Sequence, residues 1–327
     1  MDHRVTARYL ARRLGRVILV VWAAYTLSFA VLYLLPGDPV QTMLSGAAGG
    51  DGAAVDPHEA QRLRHTLGLD RPLAVQYTSM LGHALRGDLG TSIRSGAPVR
   101  GQLAQALPDT LSVALPALVL SVLVALCLAL LGAWPRRRAL RRAATALPSL
   151  GTAVPSFWLG LLLAQWISFR WGLLPATGGG RSPRATLLPA LTLALPIGCV
   201  LAQVLGRGLR AALAEPYADV ARSRGAGRPR LLLAHALRNA SVPALALLGV
   251  VCGQLLAGAV LVETVFARDG IGRLAMDAVT YQDLPVVQGV VVLAALVTAL
   301  VNLVVDLLLP LLDPRTASEA ADAVPAH

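Results

Sequence analysis

Apolar residues dominate six windows along the chain, each long enough to cross a bilayer. The windows lie near residues 17–35, 108–134, 145–169, 187–205, 240–262 and 285–312. About 20 helical residues cross a bilayer core, and a helix satisfies all its backbone polar groups within its own segment, as the membrane requires. The pattern therefore predicts an all-α polytopic membrane protein with six transmembrane helices.

The composition agrees with a membrane protein and excludes several activities. The 327 residues are 55% hydrophobic and only 14% charged, whereas soluble domains carry about 25% charged residues. All 29 basic residues are arginine, so the chain lacks the lysine with which a P-loop holds nucleotide phosphates. We therefore do not expect it to hydrolyse ATP by itself.

Other chemistry is not evident in the residue pattern. The net charge of +11 is compatible with nucleic-acid binding, but the arginines form short clusters between apolar runs and aromatic residues make up only 5%, which argues against that class. Cys127, Cys199 and Cys252 each stand alone in an apolar run, and the six histidines are scattered. No catalytic residue, metal site or cofactor is therefore expected.

The distribution of arginine predicts the orientation of the chain. The tail 1–16, the link 135–142 and the insert 206–239 are rich in arginine, and all three lie on one side if the spans alternate. Arginine in short loops marks the cytoplasmic side, so the tails 1–16 and 313–327 are expected in the cytoplasm. The first window is too long for the 7–15-residue core of a signal peptide and is interpreted as a retained first helix.

The long segment 36–107 is predicted to be extracytoplasmic and partly helical. Asp56 is a suitable N-cap, with Pro57 at the first helical position and Glu59 at the third. A second helix follows Pro72. Its apolar face would comprise Leu73, Tyr77, Met80 and Ala84. These faces either cover the outer mouth of the bundle or bind a partner outside the cell.

The insert 206–239 is the most informative polar stretch in the permease core 108–312, which holds the remaining five spans. Glu215-Pro216 predicts the start of a short helix, Gly225 its end, and Pro229 the start of the next. The result is a helix–glycine–helix elbow, which suits a groove on a partner protein. A basic helix lying on anionic lipid is the alternative, but it has no need of a glycine break.

Two polar residues interrupt the sixth window. Asp306 lies inside it, with Asn302 one helical turn earlier. Charged groups inside membranes are costly and are often functional, which favours a residue that lines a pore. Hydrogen bonding between helices explains the same pattern, so both interpretations stay open.

Motifs along the chain resemble the permease subunits of ABC importers for dipeptides, oligopeptides and nickel. Asp219-Val220-Ala221 followed by Gly225 resembles the "EAA" loop of importer permeases, with aspartate in place of glutamate. His235-Ala236-Leu237-Arg238 resembles the variant found in the peptide and nickel subfamily. Further matches are Leu35-Pro36-Gly37-Asp38-Pro39, Arg86-Gly87-Asp88-Leu89-Gly90-Thr91-Ser92, Glu263-Thr264-Val265-Phe266, Gly270-Ile271-Gly272-Arg273-Leu274, Asp283-Leu284-Pro285-Val286-Val287-Gln288-Gly289 and Leu312-Asp313-Pro314-Arg315.

This resemblance implies a type I ABC importer permease in the bacterial inner membrane, the first of two permease subunits. It implies three kinds of partner: a second homologous permease, two ATP-binding subunits that bind the ATP, and an extracytoplasmic solute-binding protein. The loop 215–239 would couple this half of the pore to the ATPase. The residues expected at that contact are Asp219, Ala221, Arg222, Gly225, His235 and Arg238.

The solute stays open at this stage, because peptide, nickel, glutathione and oligosaccharide importers share the pattern. Two other classes are also weighed. A secondary transporter predicts internal repeats and several ionisable residues at the bilayer midplane, which the sequence lacks. A membrane enzyme needs several catalytic groups inside the spans, and the sequence offers only Asp306.

Overall fold

A computed structural model describes residues 3–34, 58, 61, 70–134, 137–177 and 180–312. Apart from one pair of bridged residues, Thr91 and Pro98, the regular structure in this part of the chain is helical. The helices are α1 (His3–Leu34), α2 (Leu73–Leu85), α3 (Val99–Ala133), α4 (Arg138–Ala153), α5 (Ser156–Leu163), α6 (Pro183–Ala214), α7 (Pro216–Ser223), α8 (Leu237–Ala246), α9 (Leu248–Val265), α10 (Ile271–Thr280) and α11 (Leu284–Leu312).

Five of the described helices are long and apolar enough to cross a membrane, and the α4–α5 pair brings the number to six if it counts as one span. The third predicted window, 145–169, therefore consists of two helical segments, Ala139–Ala153 and Ser156–Arg170, with an angle of 97° between them. In the second segment, α5 continues as a π-helical stretch, Ala164–Arg170. The break falls at Pro155, because proline disfavours the helical conformation of the preceding residue. Val154 accordingly has an extended backbone, with ψ of 121°.

The chain forms two compact units, each with its own core. The first unit comprises Met1–Thr110 and Asp269–Val297, and the second comprises Leu111–Arg268 and Thr298–His327. In the first, Val99 and Leu103 of α3 pack with Ile271 and Ala278 of α10 and with Val286 of α11. A residue stretch late in the sequence therefore completes the core of the unit that contains α1 and α2.

Helix α6 forms the centre of the second unit. Two thirds of its membrane-spanning window (67%) is buried, whereas only 11% of the corresponding window of α11 and 17% of that of α1 are buried. Close packing at α6 depends on small residues: a Cβ on Gly198 would lie 2.9 Å from the carbonyl oxygen of Ser121 in α3. The apolar surfaces of α1 and α11 remain exposed, as is typical of helices that face lipid or another subunit.

Helix α2 lies against α1 in the first unit, and its inner face matches the predicted one except at its start: Tyr77, Met80 and Ala84 are half-buried. Leu73 is exposed, and Gln76 takes the buried position, donating to the carbonyl of Arg71. Tyr77 makes an edge-on contact with Phe29, with 5.3 Å between ring centroids. Of the earlier helix predicted from Asp56, only residues 58 and 61 are described, and both are helical; the rest lies outside the described residues.

Candidate functional site

The loop after α6 folds into the predicted elbow. Helix α7 starts at Pro216 directly after the extended Glu215 and ends at Gly225, whose φ is +80°. The amide of Ala226 donates to the carbonyl of Ala221 at 3.0 Å, and that of Gly225 to Arg222 at 3.0 Å. This is the helix end that glycine favours, because glycine has no Cβ to oppose a left-handed conformation.

The segment between the elbow and α8 is an unusual helix. A single α-helical turn, Arg228–Arg230, has Pro229 near its start and leads into a π-helical stretch, Leu231–Ala236, before α8 begins. The sequence did not predict the π-helix. Such turns are rare and frequently occur at functional sites.

The base of the elbow is fixed to the second unit. Ala218 of α7 and Leu232 of the π-helix are fully buried, as is Leu209 of α6. The guanidinium of Arg228 donates to the carbonyl of Ala133 at the end of α3, at 2.9 Å. The elbow is thus anchored to the rest of the second unit by apolar packing and by a hydrogen bond.

The tip of the elbow is exposed on the surface of the second unit. Asp219 and Arg222 form an ion pair of 2.6 Å, with 79% and 52% of their side chains exposed, respectively. Arg222 also donates to the carbonyl of Leu213 at 3.5 Å. Val220 is half exposed, and a Cβ on Gly225 would meet no atom within 4 Å. The tip is therefore a small surface of mixed polarity whose contacts within the chain are few.

The remaining predicted coupling residues are not part of this ion pair. Ala221 is half-buried on the inner side of α7. His235, on the π-helix, and Arg238, on α8, are exposed, and among the described residues neither is hydrogen-bonded to Asp219. The structure therefore brings Asp219, Ala221, Arg222 and Gly225 together and presents His235 and Arg238 on the next helical stretch.

The polar residues of the last span are on α11. The side chain of Asn302 occupies the space next to Gly249 of α9 that a Cβ would fill. Asp306, one turn later, is half-buried. The position of Asn302 corresponds to the helix-packing interpretation, since two helices approach closely where one presents a glycine.

Three charged residues of the described part of the chain are buried, Glu263, Arg268 and Asp283, and the sequence analysis assigned a role to none of them. Two of them, Arg268 and Asp283, hydrogen-bond to segments far away in the sequence, and the first is Arg268 in the second unit. Its side chain is 2% exposed. It donates to the hydroxyl of Ser112 at 2.9 Å and to the carbonyls of Gly180 and Ala185 at 3.3 and 3.5 Å. We call this arrangement the Arg268 clamp. It joins the start of α6 and the preceding loop to α3.

The second buried charge is Asp283 in the first unit, which is 5% exposed. Its carboxylate accepts hydrogen bonds from the hydroxyl of Ser92 at 2.5 Å and from the amides of Ile93 and Arg94 at 3.1 and 3.4 Å. The guanidinium of Arg94 lies 3.6 Å above the ring centre of Tyr281. We call this arrangement the Asp283 clamp. It unites two of the motif segments noted in the sequence, 86–92 and 283–289.

Both clamps follow helix ends of one type. Ala267 and Gln282 have φ values of +50° and +53°, and the next amides, of Arg268 and Asp283, each donate at 2.8 Å to the carbonyl five residues earlier. A residue other than glycine in this conformation costs about 1–2 kcal/mol. The turn nevertheless directs each following charged side chain into the protein.

A further helix end with a left-handed residue lies in the first unit, at the end of α2. Gly87 has a φ of +81°, and the exposed Asp88 follows it. The amide of Gly90 donates to Asp88 at 2.9 Å, and His83 lies 3.3 Å from the same carboxylate. These contacts, that of Gly90 first, lower the pKa of Asp88 below its usual value of 3.8.

Comparison with known proteins assigns the chain to a family. Residues 117–318 match the family described as "Binding-protein-dependent transport system inner membrane component", and residues 6–114 match its N-terminal counterpart, "Binding-prot-dependent transport system membrane comp, N-term". The two matches together cover nearly the whole chain.

Curated relatives span most of the same length. The glutathione transport system permease protein GsiC of Salmonella typhi is 35% identical, over 88% of this chain and 92% of its own. The dipeptide transport system permease protein DppB of Escherichia coli K12 is 33% identical, with the same coverage. A solved structure titled "Crystal structure of an amino acid ABC transporter with histidines" covers 64% of this chain and 93% of its own, with 19% identity and a TM-score of 0.49.

The family matches and the curated relatives agree with the multi-pass architecture and with the motifs found in the sequence. The chain belongs to the family of binding-protein-dependent transport system inner membrane components and is a permease subunit of an ABC importer, with the type I importer fold.

Proposed function

We propose that this permease forms half of the translocation pore for dipeptides, oligopeptides or a related solute such as glutathione. Similarity to a dipeptide permease at 33% identity and to a glutathione permease at 35% supports this solute class. Nickel complexes and oligosaccharides are the alternative cargoes. Uptake of labelled dipeptide, glutathione and nickel by vesicles that contain the complete transporter would distinguish these solutes.

The proposal extends to the assembly. The other half of the pore is a second, homologous permease. Two ATP-binding subunits bind and hydrolyse ATP, and a solute-binding protein delivers cargo from outside. In this orientation both termini and the loop 215–239 are cytoplasmic, in agreement with the arginine bias of tail, link and insert. The permease itself has no catalytic role.

Coupling to the ATPase is proposed at the tip of the elbow. The observation that carries this proposal is the contrast within α7: Ala218 is buried in the core, whereas Asp219 on the same helix is exposed. A rigid base allows a push on the tip to move α6 and α8 as a body, which is how a two-state change is transmitted. Asp219, Arg222 and Gly225 contact the ATPase, with His235 and Arg238 at the edge of the contact.

A charge swap tests this contact. Because Asp219 and Arg222 pair with each other, the double variant Asp219→Arg/Arg222→Asp keeps the ion pair within the chain and reverses the charges that a partner meets. We expect the double variant to enter the membrane normally but to retain the ATPase weakly and to lose solute uptake. Co-purification of the ATPase and uptake into vesicles are the measurements.

The single variants and a matched control complete the experiment. The exposed pair contributes at most about 1 kcal/mol to stability, so neither single variant should unfold the protein. The control variant is Arg224→Asp, which changes the charge at another exposed residue of the same loop. It measures how much a change of charge alone lowers ATPase retention and solute uptake. Uptake that is lost in the single variants but restored in the double variant would mean that the pair acts only within the chain, and the proposed contact would be wrong.

Asn302 is assigned a packing role, since its side chain fills the space beside Gly249. For Asp306 both roles stay open. Replacement of Asp306 by asparagine separates them, since a pore residue would alter solute preference at unchanged ATPase coupling, whereas a packing residue would lower the thermal stability of the complex.

A further inference from the structure

A cleft between α3, α4 and α6 of the second unit holds positive charge that the protein does not neutralise. Its volume is about 180 Å³. Arg207 and Arg210 line it from α6, and Thr145 and Ser149 line it from α4. No aspartate or glutamate is among its lining residues.

The two arginines have no partner in the described part of the chain. Neither guanidinium takes part in a hydrogen bond or an ion pair there, in contrast to Arg222 and Arg228 in the adjoining loop. Arg141 and Arg142 stand one turn before Thr145 on α4, and the hydroxyl of Thr145 donates to their carbonyls at 2.9 and 3.0 Å. Positive charge therefore gathers at one end of the α4–α6 pair.

The cleft exists because its walls are built from small residues. These are Ala129, Gly132, Ala144, Ala202 and Gly206. Arg210 bends back over one of them: its Nη1 atom lies 3.5 Å from the position that a Cβ on Gly206 would take. The guanidinium thus reaches into the cleft, although the residue lies a full helical turn beyond Gly206.

We propose that this cleft binds a phosphate group, presented by the headgroup of an anionic phospholipid or by a soluble phosphate. Guanidinium groups match phosphate oxygens in geometry and charge, and the hydroxyl of Ser149 supplies a further donor. A cleft of this volume accepts a phosphate with its ester substituents but not a whole lipid, whose chains would lie along the apolar surface outside. The site is distinct from the coupling contact and does not depend on it; only its assignment to the cytoplasmic leaflet rests on the proposed orientation.

The first experiment measures lipid retention by the full-length permease, purified from vesicles of phosphatidylglycerol and phosphatidylcholine, with native mass spectrometry. The pocket variant is Arg207→Gln/Arg210→Gln. Each basic residue near an anionic membrane contributes about 1 kcal/mol to the attraction, so we expect retention of phosphatidylglycerol to fall about tenfold or more. The control Arg12→Gln/Arg16→Gln removes the same charge from α1, at positions that are exposed like Arg207 and Arg210 but do not line the cleft. It measures the general attraction of arginine to the anionic membrane, and retention should fall clearly less in the control than in the pocket variant.

The second arm distinguishes the source of the phosphate. In discs of phosphatidylcholine alone, millimolar inorganic phosphate should raise the melting temperature of the wild type but not of the pocket variant if a soluble phosphate is the ligand. If phosphatidylglycerol is retained through the arginines and inorganic phosphate has no effect, the lipid is the ligand. If neither probe distinguishes wild type from pocket variant, or if the control loses lipid equally, the proposal is wrong.

A second variant guards against misfolding of the first. Gly206→Ala adds one methyl group to the cleft wall, in ordinary van der Waals contact with the Nη1 atom of Arg210, so it takes up space in the cleft without forcing a neighbour to move, and it favours the helix. We expect it to be at least as stable as the wild type and to retain less phosphatidylglycerol. Unchanged retention in Gly206→Ala together with unchanged retention in the arginine variant would overturn the site.

Discussion

The two clamps and the elbow tip use charged residues in opposite ways. Arg268 and Asp283 are buried, and each makes several hydrogen bonds with distant parts of its own unit. Asp219 and Arg222 are exposed, and they contact mainly each other. Arg268 and Asp283 directly follow a left-handed residue at a helix end, and Asp219 and Arg222 lie on the helix that the left-handed Gly225 terminates. The direction of the side chain, and not the type of helix end, separates them.

The difference indicates where each charge has its effect. Removal of a buried charge that makes several hydrogen bonds strongly destabilises the fold, because the groups left behind lose their partners. An exposed pair contributes little to folding and remains available to another subunit. Substitutions in the clamps should therefore change stability, and those at the tip should change transport.

The largest loss of stability is expected for Arg268→Ala. The substitution leaves the hydroxyl of Ser112 and two carbonyls without this donor, at a cost of about 3 kcal/mol. Thermal unfolding of the purified permease measures it. Arg184→Ala removes an exposed arginine next to the Arg268 acceptor Ala185 and should lower stability by less than about 0.5 kcal/mol; equal effects would mean that the clamp does not stabilise the unit.

A somewhat smaller loss is expected for Asp283→Ala. The loop at Ser92–Arg94 loses the acceptor for one hydroxyl and two amides, at a cost of about 2 kcal/mol. Limited proteolysis at 91–98 and thermal unfolding are the measurements. The exposed Asp277 of α10 provides the control Asp277→Ala. If both variants resist protease as the wild type does, the carboxylate does not hold the loop.

At the elbow, Gly225→Asn should affect transport and hardly affect folding. Asparagine tolerates the left-handed conformation, and a side chain at this position meets nothing within the chain. We expect a stability within about 0.5 kcal/mol of wild type, continued ATP hydrolysis and reduced uptake per ATP, since the added side chain meets the ATPase. Gly227→Asn is the control: its φ is −62° at a helix start, where asparagine is favoured. Uptake at the wild-type level in Gly225→Asn would refute a close contact there.

The smallest effect is expected for Asp88, which is exposed like the tip residues but accepts a hydrogen bond from a backbone amide, as Asp283 does, in this case within its own turn. Its pKa is lowered in the folded protein, so its contribution to stability is present above the unfolded-state value near 3.8 and disappears as the pH falls through the folded value. The stability difference between wild type and Asp88→Asn should therefore shrink below about pH 3.8. A difference that is constant from pH 3 to pH 6 would contradict this assignment.

The elbow was predictable because its structure depends on neighbouring residues. The proline after Glu215, the glycine at 225 and the proline at 229 each act on their own turn, and all three act where the sequence predicted. The spans were predictable for the same reason, since hydrophobicity over about 20 residues suffices. The right-angle bend at Pro155 was not predictable in the same way, because the local residues predict a kink but not its angle.

The clamps were not predictable, because they depend on residues far apart in sequence. The Arg268 bond to Ser112 spans 156 positions, and the Asp283 bond to Ser92 spans 191. Nothing in the local pattern distinguishes Arg268 from the exposed Arg273, or Asp283 from the exposed Asp277. Motif resemblance did mark the segments 86–92 and 283–289, but without indicating that they meet.

The π-helical stretch Leu231–Ala236 fixes the rotational phase of everything that follows it. Each residue of an α-helix turns the chain by about 100°, and a π-turn accommodates one extra residue. If the same residues formed an ordinary α-helix instead, the extra residue would rotate α8 by about 100°, which would turn Ala240 out of the core where it packs with Leu209. The π-turn therefore keeps Ala240 facing the core, and deletion of one residue from this stretch should leave α8 in phase.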